Sequence, residues 1–224
     1  MSDKFNQLHL PISWAFSIKS EDFIVNECNQ YAFKWLEKWP FKIHDNFVCL
    51  VGEKGAGKTH LSTIWANKLN AKIVTSSNNI FSEWYGISET NEQRYFVLDD
   101  ADEINDDLLL FYIYNTIREK NSYLLLTSKT PPSKWGLKFE DIRSRVATIN
   151  VIKIQSPNEA AMISIIKKML LHCGIKTDEK IVSYIANRIE RSYESINYWI
   201  NQFDTTLKRK QSKFSIKFIK NFIK

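Results

Sequence analysis

The sequence predicts an α/β fold in which a parallel five-stranded sheet is followed by a small all-helical unit. Three observations predict it. Five short apolar runs alternate with helix-period segments between residues 47 and 154. Phe47–Val51, the centre of the third run and Tyr123–Leu126 are unbroken apolar stretches, as in strands buried on both faces, rather than alternating apolar and polar. After Pro157 the strand-like runs stop and only helix-period segments follow.

The chain has 224 residues, 44% apolar and 25% charged, a globular composition that excludes disordered and fibrous classes. Six Gly and five Pro leave few turns, so long helices are expected. No run approaches the ~18 apolar residues of a membrane span. The N-terminus lacks the basic-then-apolar pattern of a secretory leader. Cys28, Cys49 and Cys173 are odd in number and widely spaced, which fits a reducing compartment and a cytoplasmic location better than a disulfide framework or a zinc site. The net charge of +6 bears on solubility and non-specific association rather than on fold.

Residues 1–19 have no period and read as a tail, 20–155 as the α/β domain and 156–224 as the helical one. From Asp22 to Pro40, Ile24, Cys28, Tyr31, Trp35 and Trp39 recur at helical steps. Phe47–Val51 reads as the first strand and runs into a glycine loop and a helix over Lys58–Leu69. Lys72–Thr75 is the second strand, before a helix around Ile80–Tyr85. Tyr95–Leu98 is the third, ending in acids before a helix near Asp106–Lys120. Tyr123–Thr127 is the fourth, followed by Pro131 and Pro132, and a helix around Glu140–Ala147 precedes the fifth, Ile149–Ile154. The first segment of the helical domain carries Met162, Ile166 and Leu170, with Gly174 as its C-terminal cap. The next, over Ile181–Ile189, follows the capping candidates Thr177 and Asp178. A third carries Ile196, Ile200 and Phe203, and a last one Phe214, Phe218 and Phe222.

Gly52-Glu-Lys-Gly-Ala-Gly57-Lys58-Thr59 matches G-x-x-x-x-G-K-[ST] between an apolar strand and a helix. Glycines at 52, 55 and 57 let the backbone wrap so that N–H groups face a phosphate, and the helix N-terminus adds partial positive charge. Lys58 supplies a point charge to the β/γ-phosphates and Thr59 a hydroxyl to Mg²⁺. The alternative is a glycine-rich turn with an incidental lysine. The run Tyr95-Phe-Val-Leu-Asp99-Asp100 puts two carboxylates at the carboxyl edge of the sheet. Asp99 would hold Mg²⁺ through water, and Asp100 would orient or deprotonate an attacking water. Acids after a strand also cap helices, the simpler reading of Asp102, Glu103, Asp106 and Asp107. Together the two motifs call for ATP or ADP with Mg²⁺.

With the helical unit read as a lid, these residues resemble AAA+ nucleotide-binding domains, and more narrowly the DnaA group of bacterial replication initiators. The resemblance covers about residues 20–224. It is carried by Gly57-Lys-Thr-His-Leu61, the Asp99-Asp100 strand end and Ile142-Arg-Ser-Arg145, without the helix-turn-helix domain that ends true initiators. Gln7-Leu8-His9-Leu10-Pro11 is similar to the Q-L-x-L-P peptide that docks on the replicative sliding clamp. The Gln7 amide would anchor it, Leu8 and Leu10 would fill apolar pockets, and Pro11 would lower the ordering entropy. The alternative is a tail folded back on the core. The combination resembles the Hda family, which binds the loaded clamp, stimulates ATP hydrolysis by the initiator and so represses re-initiation. That resemblance makes Arg145 an arginine finger toward a neighbouring subunit's nucleotide. The plainer reading of Arg143 and Arg145 is surface ion pairing. It further implies the clamp and a DnaA-type initiator as partners, DNA reached through the clamp, no membrane, and a possible homo-oligomer.

Two positions depart from the family pattern. Lys129 stands where an acidic sensor is usual, leaving Ser128 to reach a water or phosphate. Glu194 stands where the lid arginine falls, with Arg188 or Arg191 as substitutes. Slow intrinsic turnover, with ATP or ADP held mainly as a structural ligand, is the expectation. The rival functions are a helicase-loader or initiator-like DNA-binding ATPase, and a nucleotide-bound adaptor without catalytic effect. His9, His44, His60 and His172 lack partners at metal spacing. The basic end (Lys208, Arg209, Lys210, Lys213, Lys217, Lys220, Lys224) reads as a solvated face, with DNA contact the minority reading.

Overall fold

Strands Phe47–Val51 (β1), Lys72–Thr75 (β2), Tyr95–Asp99 (β3), Tyr123–Ser128 (β4) and Asn150–Lys153 (β5) form one parallel sheet in the order β2-β3-β4-β1-β5. The computed structural model describes residues 23–75, 80, 82, 84–85, 94–210 and 214–223. Helices Gln30–Lys38 (α1), Lys58–Leu69 (α2), Asp107–Glu119 (α3) and Glu140–Ala147 (α4) accompany the sheet. Glu159–His172 (α5), Glu179–Ala186 (α6), Tyr193–Lys210 (α7) and Ile216–Ile219 (α8) follow it. No helix among the described residues is long and apolar enough to cross a membrane.

Successive residues of a strand face opposite sides, and the two cores record it. Cys49, Val51, Phe96, Leu98, Leu124 and Leu126 join α3 and α4 on one face. Val48, Leu50, Val97, Leu125 and Ile152 join α1 and α2 on the other, where Trp39 stacks on Trp65 at 4.7 Å. β1 is therefore buried along its whole length, while the edge strands β2 and β5 each bury one residue of four. The order sets the carboxyl ends of β1, β4 and β3 side by side, and these are the ends that carry the glycine loop and the acids.

The helical domain has its own core, in which Met162, Ile166, Ile196, Ile200 and Phe203 are fully buried. Phe214, Phe218 and Phe222 surround Phe203 with ring centroids 5.6–6.2 Å away. Gly174, at φ +74°, ends α5 as expected, with Ile175 N–H donating to Leu170 O at 2.8 Å. Asp178 precedes α6 without a side-chain capping bond. Asp106 and Asn158 do cap, accepting from Leu109 N and Ala161 N.

The first helix departs from the periodicity. It begins at Gln30 rather than Asp22, because Asn26 Oδ1 accepts from Cys28 N–H and Asn29 Oδ1 from Asn26 N–H, each at 2.9 Å. Such side-chain bonds offer the backbone an alternative to helix. Cys28 and Ile24 then pack on the helical core instead of continuing the α1 stripe. The expected helix at residues 80–85 lies partly outside the described residues; Ile80, Ser82, Trp84 and Tyr85 are helical.

Phe203→Ala is expected to lower stability by about 3–5 kcal/mol through cavity formation. Tyr198→Ala, which removes a mostly exposed ring one turn away, should cost under about 1 kcal/mol. Urea denaturation of both variants checks the contrast.

Candidate functional site

The glycine loop leaves β1 at Gly52, whose N–H still bonds Ser128 O of β4 at 3.1 Å, and enters α2 through Gly57. Gly55 adopts φ +75°, and a methyl there would lie 2.6 Å from Ser192 Cβ. Only glycine fits both the left-handed backbone and that approach. Lys58 is buried, and its ammonium donates to Gly52 O at 2.9 Å and Glu53 O at 3.1 Å. Burial lowers its pKa, and the carboxylates of Asp100, Asp102 and Asp99 oppose the shift.

Thr59 Oγ1 lies 3.0 Å from Asp99 Oδ2. The β3–β4 register places Thr127 beside Asp99, and its hydroxyl donates to Asp99 Oδ1 at 2.6 Å while accepting from Asp100 N–H at 2.8 Å. Thr127 is fully buried. It thus fixes the Asp99 carboxylate and the backbone of Asp100, which sits at φ 51°, a left-handed conformation a non-glycine residue holds only under local constraint. A hydroxyl beside a carboxylate fits Mg²⁺, which takes few protein oxygens and completes its shell with phosphate and water. Among the described residues no group of three or more His, Cys, Asp or Glu could hold a metal unaided.

Ser128 is not brought to this cluster. Its hydroxyl is buried on the opposite side of β4, bonded to Thr130 O and accepting from Trp135 Nε1 at 3.1 Å. Neighbouring strand residues point to opposite faces, so Thr127 rather than Ser128 stands on the side of Asp99. No motif singles out Thr127; a polar strand end in register with Asp99 is the signal that would.

The start of α7 forms the other wall. Tyr193 N–H donates to Gly55 O at 2.8 Å, and its hydroxyl accepts from Asn26 Nδ2 at 3.1 Å and Asn29 Nδ2 at 3.0 Å. Between the walls lies a cleft of about 430 Å³ lined by Lys54, Lys58, Thr59, Asp100, Lys129, Tyr193 and Glu194, among others. That volume is in the range of small-molecule sites. Glu194 turns to Lys54 at 3.3 Å. The two candidate substitutes for a lid arginine stand elsewhere: Arg188 lies over the Tyr184 ring at 3.8 Å and Arg191 is 4.0 Å from Glu159.

Arg145, on α4, is outside this cleft. Its Nη1 donates to Asn115 Oδ1 at 2.7 Å, Asp141 pairs with it at 3.1 Å, and the guanidinium lies 4.9 Å from the Phe111 ring centroid. Gln7, Leu8, Leu10 and Pro11 lie outside the described residues.

This architecture, with its glycine loop and acidic strand end, defines the class: the fold is that of a DnaA-like AAA+ domain. Domain III of the Thermotoga maritima replication initiation protein DnaA superposes with a TM-score of 0.77 at 18% identity, covering 92% of this chain and 97% of that one. AMPPCP-bound DnaA from Aquifex aeolicus gives 0.66 at 20% identity, over 85% of this chain and 67% of that one. In sequence, the chain is 28% identical to the chromosomal replication initiator DnaA of Wolinella succinogenes over 93% of its own length and 52% of the initiator's. It is 25% identical to an uncharacterized Haemophilus influenzae protein over 97% of this chain and 98% of that one. The chain therefore spans about half the length of the initiator it matches. No protein-family model matches it.

Burial raises the Asp100 carboxyl above its ordinary range, and Asp99 and Glu103 add to the shift while Lys58 and Lys129 oppose it. Ionising Asp100 thus opposes folding: the penalty is complete above the raised pKa and absent below the ordinary one. Asparagine also tolerates the left-handed backbone. Asp100→Asn is expected to raise the midpoint of thermal unfolding by about 1–3 °C at pH 7 in chelating buffer, an advantage lost by about pH 3. Calorimetry at both pH values checks it.

Proposed function

We propose that this chain binds ATP or ADP with Mg²⁺ in the cleft between the glycine loop and α7, and acts as a clamp-tethered regulator that stimulates ATP hydrolysis by a DnaA-type initiator. The single observation that carries the nucleotide assignment is the convergence of Lys58, Thr59, Asp99 and Asp100 at the ends of β1 and β3. Loop N–H groups and Lys58 bind the β/γ-phosphates, and Thr59 and Asp99 hold Mg²⁺, which when bound neutralises charge developing on the phosphoryl oxygens. Asp100 orients the attacking water. Support for nucleotide binding also comes from the AMPPCP-bound DnaA that shares the fold.

Action on a partner rests on Arg145. It lies outside this chain's own cleft, so its guanidinium is suited to another subunit's phosphates rather than its own. Asp141 and Asn115 hold it at the end of α4 until a partner competes for it. Gln7, Leu8, Leu10 and Pro11 supply the tether to the sliding clamp. An initiator-like, DNA-contacting ATPase is the second reading, favoured by the sequence similarity to initiators themselves.

The test is single-turnover hydrolysis by an ATP-loaded DnaA-type initiator in the presence of DNA-loaded clamp. This chain should accelerate it at least about tenfold. Arg145→Ala should abolish the acceleration while keeping clamp binding, and Gln7→Ala should abolish both. Acceleration that survives Arg145→Ala overturns the role of the finger. No acceleration, combined with salt-sensitive binding of single-stranded DNA, selects the second reading.

A further inference from the structure

We propose that the groove between the start of α3 and the segment leading into α4 docks a partner protein through a segment in which an apolar side chain is flanked by Lys or Arg. Neither nucleotide binding nor the clamp peptide is needed for this surface to act.

Residues 104–108, with Asp102, form one wall of a cavity of about 490 Å³, and residues 135–139 form the other. The walls are fastened together, because Asp107 Oδ2 accepts from Lys138 N–H at 2.6 Å and from Phe139 N–H at 2.8 Å. Ile104, Trp135 and Leu137 are at most 9% exposed and belong to the core shared with α3 and α4. The Trp135 indole is also held from behind, donating to Ser128 Oγ at 3.1 Å and Thr130 O at 3.0 Å. The groove is therefore built before any partner arrives. Gly136 faces open space, where a Cβ would meet nothing within 4 Å. Two large apolar side chains stand at the lip, Leu108 at 67% exposure and Phe139 at 53%. Aliphatic and aromatic groups around a preformed pocket are what the centre of a protein interface presents.

Charge decides what kind of partner fits. The groove carries the carboxylates of Asp102, Asp106 and Asp107 against the ammonium of Lys138, a net of −2 in a chain whose net charge is +6. Asp106 and Asp107 also suit the first turn of α3, where carboxylates meet the positive end of the helix. That role gives no reason for Leu108 and Phe139 to stand in water beside them. Nucleic acids and acidic segments are repelled by such a rim, whereas Lys or Arg on an incoming segment is drawn to it. An apolar side chain between those cations would cover Leu108 and Phe139 and enter above Gly136. The methylene stems of Lys and Arg cover apolar surface as well, while their charged heads reach the carboxylates.

Random peptides of about twelve residues, displayed on phage, are selected against the full chain, and those enriched are measured by fluorescence anisotropy. Enriched sequences should carry Lys or Arg on both sides of a Leu, Phe or Trp. Gly136→Trp, which fills the open floor, should weaken their binding at least about tenfold. Phe139→Ser removes an exposed ring from the lip without touching the floor, and should weaken it at least about threefold. Asp106→Asn combined with Asp107→Asn keeps the hydrogen-bond acceptors but removes the charge, and should flatten the salt dependence of binding. Acidic or uncharged enriched peptides, binding that survives both Gly136→Trp and Phe139→Ser, or no enrichment over an unrelated protein would overturn the assignment. Self-association in sedimentation that Gly136→Trp abolishes would overturn it in favour of a second copy of this chain.

Discussion

The closeness of Gly55 to the first turn of α7 is the constraint on which the rest of the site depends. A side chain at residue 55 would overlap Ser192, and the carbonyl of the same residue accepts the Tyr193 N–H. A single loop position thereby joins the sheet to the helical domain. Tyr193 extends the seam, because its hydroxyl takes two amides from the Asn26–Asn29 turn. Burial raises its pKa, with the two amide bonds opposing, so the phenol stays neutral and able to accept them at physiological pH. Three segments distant in sequence are thus fastened within one turn of the glycine loop.

In the polar interior beneath the seam, the two buried charges, Asp99 and Lys58, each have partners. Asp99 is buried with hydroxyls of Thr59 and Thr127 on its oxygens, and Lys58 with two carbonyls on its ammonium. Buried charges without such partners would be costly. Held this way they form a pre-set surface of alternating sign at the carboxyl edge of the sheet, the place where open α/β sheets bind ligands. Charges farther out are treated differently: Lys54–Glu194 and Lys129–Glu103 pair in the open, on the exposed rim of the cleft. On the proposed function, the inner set is the one that would meet phosphate and metal.

Much of this was legible in the sequence, for identifiable reasons. Strands such as Phe47–Val51 announce themselves because burial on both faces demands uninterrupted apolar residues. The glycine loop does so because its backbone conformation demands glycine, and Asp99 and Asp100 because they end such a strand. What was not legible depended on facing and on tertiary contact. Thr127 and Ser128 are chemically alike neighbours, and only the register between β3 and β4 decides that Thr127 meets Asp99. The start of α1 was set by side-chain bonds of Asn26 and Asn29 that compete with helix and leave no trace in the apolar period. Tyr193 reads as an ordinary helix residue until its three partners come together around it. Arg188 and Arg191 had the right charge to replace a lid arginine but stand on faces that pair with Tyr184 and Glu159.

The most direct measurement of the central claim, that the seam at Gly55 organises a nucleotide site, is equilibrium binding of Mg-ADP to Gly55→Ala and to Gly136→Ala. Gly136 faces open space, so its variant should bind as the unmodified chain does. Gly55→Ala is predicted to lose at least about a hundredfold in affinity, because the methyl must displace Ser192 and strain the loop. Unchanged affinity in Gly55→Ala would contradict the claim.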